Sequence, residues 1–287
     1  MLAWRSAGFG IRKVKGAQKV RSFVVTRIRP LNLGFSLVFT TSTIVDKAQL
    51  AQMPPRQAEM NDKTSSKHAG SAEFLPADAA VAAALLLAVD ADGFPPSAAW
   101  EKANPVRFDA NWQGKNADPQ RATEVRLLWT PTILYLKFIS HYRSITVFAD
   151  SESNGRRNQL WDRDVAEVFL QPDPSSQRHY KEFEVSPNGF WIDLDIDDGV
   201  LQDLKSRLHR RVSIDEPSKT WTAELAIPIN SLLPQFDPNT TWRANFNRVE
   251  GPGELRFYSA WRPTNTPKPN FHVPERFGYL KFAPANQ

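Results

Sequence analysis

The chain has 287 residues, an ordinary globular composition and no cysteine, so it can bury a sizeable core, while thiol nucleophiles, zinc ribbons and redox pairs are excluded. Its formal charge of +5 is local, because residues 1–30 hold eight basic side chains and no acid. The remainder is slightly acidic and offers no basic groove for a nucleic acid.

That basic head is followed by an apolar run over residues 31–45, LNLGFSLVFTTSTIV. Basic first and apolar second is the order of an export signal, and the run is too short and too rich in Thr and Ser for an ordinary membrane span. Residues 1–45 are therefore expected to be an export signal or a short anchor, which places the protein outside the cell, in a periplasm or at the cell surface. Residues 46–78 are polar and aperiodic and are expected to be a disordered linker. The folded domain is expected over 79–287. It opens on AAVAAALLLAV, which suits a helix or a strand.

Further on, strands are predicted at 124–129, 133–140, 164–171, 179–186, 190–196, 221–227, 242–249, 255–261 and 278–282. Turn chemistry separates them, as in Thr130-Pro131, Pro187-Asn188-Gly189, Asp237-Pro238-Asn239 and Gly251-Pro252-Gly253. Residues 200–208 are the one stretch that reads as a helix. Many short strands with few helices predict an all-β fold, an antiparallel β-sandwich of two sheets of the immunoglobulin-like or jelly-roll kind, with one short helix.

The stretch with most chemistry is LWDRDVAEVFLQPD, residues 160–173. Ala166, Val168 and Leu170 alternate with Val165, Glu167 and Phe169, as in a strand with two distinct faces. Trp161 sits just before it in a polar loop. The indole either packs under its own loop or is offered to a sugar, whose C–H faces stack on aromatic rings while its hydroxyls need fixed polar groups. Glu167 needs a partner, which could be Arg163, Arg248 or a sugar hydroxyl. Glu182 and Glu184, and likewise Asp193, Asp195 and Asp197, alternate along their strands and are expected to form solvated faces. Trp221 and Trp242 fall on core-like faces. Trp261 opens a Pro-rich loop, 262–274, that should wall a site. Phe271 and His272 lie between prolines of that loop, and a fixed φ lowers the cost of holding a ring ready.

Five pieces in one order resemble carbohydrate-binding module family 9. VDADGFPPSAAWEKA is similar to the family's D-G then W-x-x-A opening, and VRLLWTPTILYLKF to its second and third strands. LWDRDVAEVFLQPD is similar to its W-x-x-D-x-x-E segment, WTAELAIPINSL to its E-[AI]-A-I-P strand, and YSAWRPT with FHVPERFGYLKF to its closing stretch. The resemblance implies a β-sandwich that holds an oligosaccharide or polysaccharide, often by a chain end, between two aromatic rings. Carried over, Trp161 matches the first ring, Phe271 falls where the second stands, Glu167 matches a carboxylate that accepts from sugar hydroxyls, and Asn247 lies at the position of a polar amide. Glu184 departs from the family's Arg and replaces a donor with an acceptor. Structural calcium is also implied, although no acidic loop matches such a site. The expected function is non-catalytic carbohydrate binding in the setting of polysaccharide breakdown, in association with glycoside hydrolases.

Two other classes compete. A glycosidase would need a pair of carboxylates flanking one bond, and Glu167, Glu184 and Asp164 are the candidates. A haem-binding sandwich would need strong axial ligands, yet all three methionines precede residue 79 and the histidines show no ligand spacing. No required cofactor is expected.

Overall fold

The computed structural model describes Leu75 and residues 79–88, 93–253 and 256–284. The expected export signal over 1–45 and nearly all of the linker over 46–78 lie outside the described residues, as do the first residues of the VDADG opening.

Thirteen strands make up the described chain. They are β1 (Val81–Leu86), β2 (Val106–Phe108), β3 (Thr123–Trp129), β4 (Ile133–His141), β5 (Val165–Gln171), β6 (His179–Val185), β7 (Trp191–Asp197), β8 (Val200–Asp203), β9 (His209–Asp215), β10 (Thr220–Pro228), β11 (Trp242–Glu250), β12 (Phe257–Ala260) and β13 (Gly278–Ala283). Hydrogen bonding runs in the order β8-β7-β6-β5-β11-β13-β1-β3-β4-β10-β9, with β12 on β11 and β2 on β3. The path curls so that its two halves face each other. Ala166, Val168 and Leu170 of β5 and Trp242, Ala244 and Phe246 of β11 share one buried cluster with Leu134, Leu136 and Phe138 of β4 and Trp221, Ala223 and Leu225 of β10. That shared interior makes the domain a two-layer β-sandwich, as the alternating pattern predicts. Trp221 and Trp242 lie in it, fully buried.

Three features depart from expectation. β1 runs parallel to both β13 and β3, so the sandwich is not purely antiparallel. A parallel pair needs a long crossover, which here includes α1 (Ser97–Lys102), the one α-helix among the described residues. Trp100 of α1 packs with Leu85, Leu128 and Tyr135, which covers the second face of β1 at its C-terminal end, while Val81 at its start stays exposed.

Residues 200–208 are not helical. Asp198 (φ +47°) and Gly199 (φ +81°) form the two-residue loop of a β7–β8 hairpin in which Asp197 pairs with Val200. An Asp-Gly pair between strands is a strong hairpin signal, because both central residues of a type I′ turn need positive φ. Lys205 and Arg207 also have positive φ, which no helix can accommodate. β2, β8 and β9 were not predicted.

Of the expected wet faces, Asp197 is exposed and Asp195 half-buried, but Asp193, Glu182 and Glu184 are buried. Asp193 accepts the Ser206 amide at 2.6 Å, Asp195 bonds His179 and Lys181, and Glu182 and Glu184 are 2% and 1% exposed. Alternation of charged with apolar residues identifies the two faces of a strand, but it does not reveal that a loop covers the outer one.

Candidate functional site

On the outer face of β5, β6, β7 and β11, residues line up across strands because a sheet sets directly paired residues on the same side. Asn247 of β11 pairs with Glu167 of β5, and Glu167 pairs with Glu184 of β6. Glu182 pairs with Phe169 and with Leu194 of β7. This floor is apolar around its polar row, with Val165, Phe169, Tyr180, Ile192, Leu194 and Val249 in one cluster.

Two loops wall the floor. The segment before β5 turns at Gln159 (φ +56°) into a 3-10 turn, Leu160–Asp162. Leu160 is buried as an anchor, and Asp164 accepts the amides of Thr146 and Gly251 at 3.1 and 2.7 Å. Arg256 donates to the Trp161 carbonyl at 2.7 Å and lies 5.3 Å over the Tyr258 ring. The backbone under Trp161 is thereby fixed from both sides while its indole stays partly exposed. On the other side the Pro-rich loop starts against Asn245, whose amide takes the Arg262 N–H and donates to the Arg262 carbonyl. His272 Nδ1 meets the Tyr180 hydroxyl at 2.9 Å, and its ring lies 5.2 Å from Phe169.

Between these walls is a cavity of about 290 Å3 lined by Trp161, Glu167, Glu182, Tyr258, Phe271 and His272, among others. Its size falls near the lower end for small-ligand sites. Phe271 reaches it but is only 7% exposed, with its ring 6.1 Å from Tyr258. The second aromatic wall is thus shared between Phe271 and Tyr258, and Tyr258 escaped the sequence reading although it alternates with Arg256 and Ala260 on one strand face.

Other expected site residues lie elsewhere. Arg248 points to the opposite side of β11, where it pairs with Glu250 at 2.9 Å and bonds the His141 carbonyl; adjacent strand residues alternate faces, so it cannot share a site with Asn247. Trp261 stacks on Phe246 at 5.3 Å in the interior and rests on Gly278, where an added Cβ would come within 2.5 Å of the indole. Arg163 lies over Phe148 at 4.6 Å and donates to the Asp162 carbonyl, beside an adjoining hollow rather than in the cleft. Neither arginine pairs with Glu167.

The electrostatics of the floor follow from burial. Glu167 is 2% exposed, and its carboxyl is pushed well above the usual carboxylate range, first by loss of water and then by the charge of Glu182. Glu184 is pushed well up by burial and by the charges of Glu182 and Glu167. Glu182 is raised by burial, against the pull of His272 and of a proton shared with Glu184. Both oxygens of Glu184, one of Glu182 and both amide atoms of Asn247 otherwise lack a partner. Like charges this close cannot all ionise cheaply, so the cluster holds protons that isolated carboxyls would have lost. Among the described residues no group of three or more acidic or histidine side chains is arranged to hold a metal ion.

Comparison with known proteins bears on the same region. The model of the carbohydrate family 9 binding domain-like family matches residues 91–283. An Arthroderma benhamiae protein named "Extracellular protein" is 26% identical over 195 residues, covering 62% of this chain and 85% of its own. Among solved structures, the fold is similar to a family 9 carbohydrate-binding module from Caldicellulosiruptor kristjanssonii in complex with cellotriose (TM-score 0.54, 16% identity, 72% of this chain and 96% of that one). A second structure from that organism, a family 9 module in complex with glucose, has a TM-score of 0.52 at 16% identity, covering 72% and 98%. A Bacteroides uniformis protein proposed to bind carbohydrate has a TM-score of 0.57 at 17% identity, covering 71% and 99%. With the described sandwich spanning the matched residues, this chain belongs to the carbohydrate family 9 binding domain-like family.

Proposed function

We propose that the cleft binds carbohydrate without transforming it. The observation that carries this reading is that Trp161 and Glu167 face one small cavity. An indole held by its backbone gives a sugar ring an apolar face, and carboxyls in a dry floor give its hydroxyls strong acceptors. A cavity of this size suits one or two rings, such as a chain end, better than a long stretch of polymer. The cellotriose and glucose complexes of the structural neighbours support the same ligand class.

A glycosidase is disfavoured by the arrangement of its candidate carboxyls. Glu167 and Glu184 are direct cross-strand partners on one floor, whereas glycoside hydrolysis needs an acid and a nucleophile or base on either side of the scissile bond. Asp164 is occupied by two amides. Export is supported by the basic-then-apolar head and by the name of the Arthroderma relative. Work beside hydrolases on polysaccharides is the setting that fits an exported sugar binder.

The test is calorimetric titration with cello- and xylo-oligosaccharides, alongside a glycan array with and without calcium. A central aromatic anchor contributes about 2 kcal/mol or more, so Trp161→Ala should weaken binding roughly thirtyfold with the thermal midpoint nearly unchanged. A wild-type protein that binds no glycan, or that releases reducing sugar from polysaccharide, would overturn the reading.

A further inference from the structure

Among the described residues every other buried carboxylate has a partner. Asp164 has two amides, Asp193 has the Ser206 amide, Glu224 has Lys137 and Arg211, and Glu250 has Arg248 and the Arg143 amide. The exceptions are gathered at the cleft. Among the described residues no Lys or Arg forms an ion pair with Glu167, Glu182 or Glu184, and apart from the proton shared between Glu182 and Glu184 three of their oxygens have no partner. Asn247, fully buried beside Glu167, has neither its carbonyl nor its amine engaged.

Cations near the cleft are committed elsewhere. Arg256 lines the cavity, but its guanidinium donates to the carbonyls of Trp161 and Gly253. Lys181 projects from the opposite face of β6 to Asp195, and Arg163 serves the Asp162 carbonyl. His272 turns Nδ1 to Tyr180. Asp162, in the turn beside Trp161, adds a further acid near Glu184. Three clustered carboxyls are set against one imidazole, that of His272, which pulls on Glu182, and Arg256 at the wall is tied to backbone oxygens, so the floor lacks a donor that carries the matching positive charge.

We propose that the ligand supplies it: the cleft recognises a sugar bearing a protonated amine, a glucosamine-type unit of a de-N-acetylated aminoglycan, with its ammonium against Glu167 and Glu182. This inference rests on the reading of the cleft as a sugar site. An ammonium brings three donors and a charge to the two carboxyls that reach the cavity, and charge-assisted bonds of this kind are about twice as strong as neutral ones. Glu184 stands behind them and adds negative potential without touching the sugar. A neutral pyranose would satisfy the acceptors but leave their mutual repulsion in place. Trp161, at the cavity wall, stacks on the ring that carries the amine and favours a cation near its face. Acetylating the amine removes both the charge and two of the three donors.

The experiment titrates the full chain at pH 7 and low salt with β-1,4-linked glucosamine oligomers, their N-acetylated counterparts and cellotriose. The amine form should bind at least tenfold more tightly than either neutral form, and Glu182→Gln should cost the amine form tenfold more than it costs cellotriose. Thermal melting confirms that this variant folds, which is expected because a buried charge is removed; the wild-type comparison stands without it. Equal affinity for amine and neutral sugars would overturn the inference and leave sugar binding intact. A preference that survives Glu182→Gln would also overturn it, by placing the ammonium elsewhere. Binding to none of the sugars would overturn both readings.

Discussion

At the residue scale the carboxyl cluster ties the site to stability. In an unfolded chain Glu167, Glu182 and Glu184 titrate near 4.5, and in the folded protein burial and mutual charge raise all three. Below about pH 4.5 the groups are protonated in both states and cost nothing. As pH rises through the raised folded values, ionisation is paid for only in the native state, so stability falls. Asp164, pushed up to about 6 by burial despite its two amide bonds, acts in the same direction between about pH 4 and 6. Lowered carboxylates such as Asp195 work in the opposite sense and lose their contribution in acid. Urea midpoints should therefore be highest near about pH 4 and decline as the pH rises above it. Glu184→Gln should raise the pH 8 midpoint and flatten that decline; a variant whose decline equals that of the wild type would show that other groups set it.

At the element scale the β7–β8 hairpin forms one rim of the cleft, since Leu201 of β8 lines the cavity, while the strap after it packs Leu204 and Leu208 on the interior cluster at the other face of β7. The hairpin depends on positive φ at Asp198 and Gly199, and the strap on the Asp193 carboxylate beneath the Ser206 amide. Asp193 is 1% exposed, so Asp193→Ala leaves a buried N–H unsatisfied and should cost about 1–3 kcal/mol in chemical denaturation. The exposed pair Lys219–Glu216 makes the contrast: Lys219→Ala should leave the denaturation midpoint nearly unchanged. Glu182 and Glu184 belong to the same lesson. HYKEFEV alternates as a half-solvated strand would, and only the loops folded over its outer face turn those glutamates into a buried, underpartnered floor.

At the scale of the molecule, the family match starts at residue 91, yet β1 ends at Leu86 and lies between β13 and β3. It joins the two halves of the curled sheet and buries Ala82, Ala84 and Leu85. A fragment beginning at residue 75 should keep the thermal midpoint of the full chain. One beginning at residue 91 removes the bridge and exposes two strand edges, and should melt about 10 °C lower or more. Equal midpoints for the two fragments would show that the matched region is stable without β1.

What the sequence determined by itself was whatever is periodic or local. Alternation gave nine of the strands and the sandwich class, turn residues gave most of the breaks, and motif order gave the family; Trp161 and Glu167 could be singled out because an indole in a polar loop and a carboxylate on a strand are local anomalies. The Asp198-Gly199 hairpin was equally legible, but a short amphipathic run hid it. Tertiary structure alone decided which outer faces are covered, that Arg248 and Trp261 belong to the interior, that Phe271 shares its wall with Tyr258, and that Glu167, Glu182, Glu184 and Asn247 meet. The physical reason is that pairing register and loop closure join residues far apart in the chain, and burial, which sets the charge state of a carboxyl, is a property of that closure rather than of any one strand.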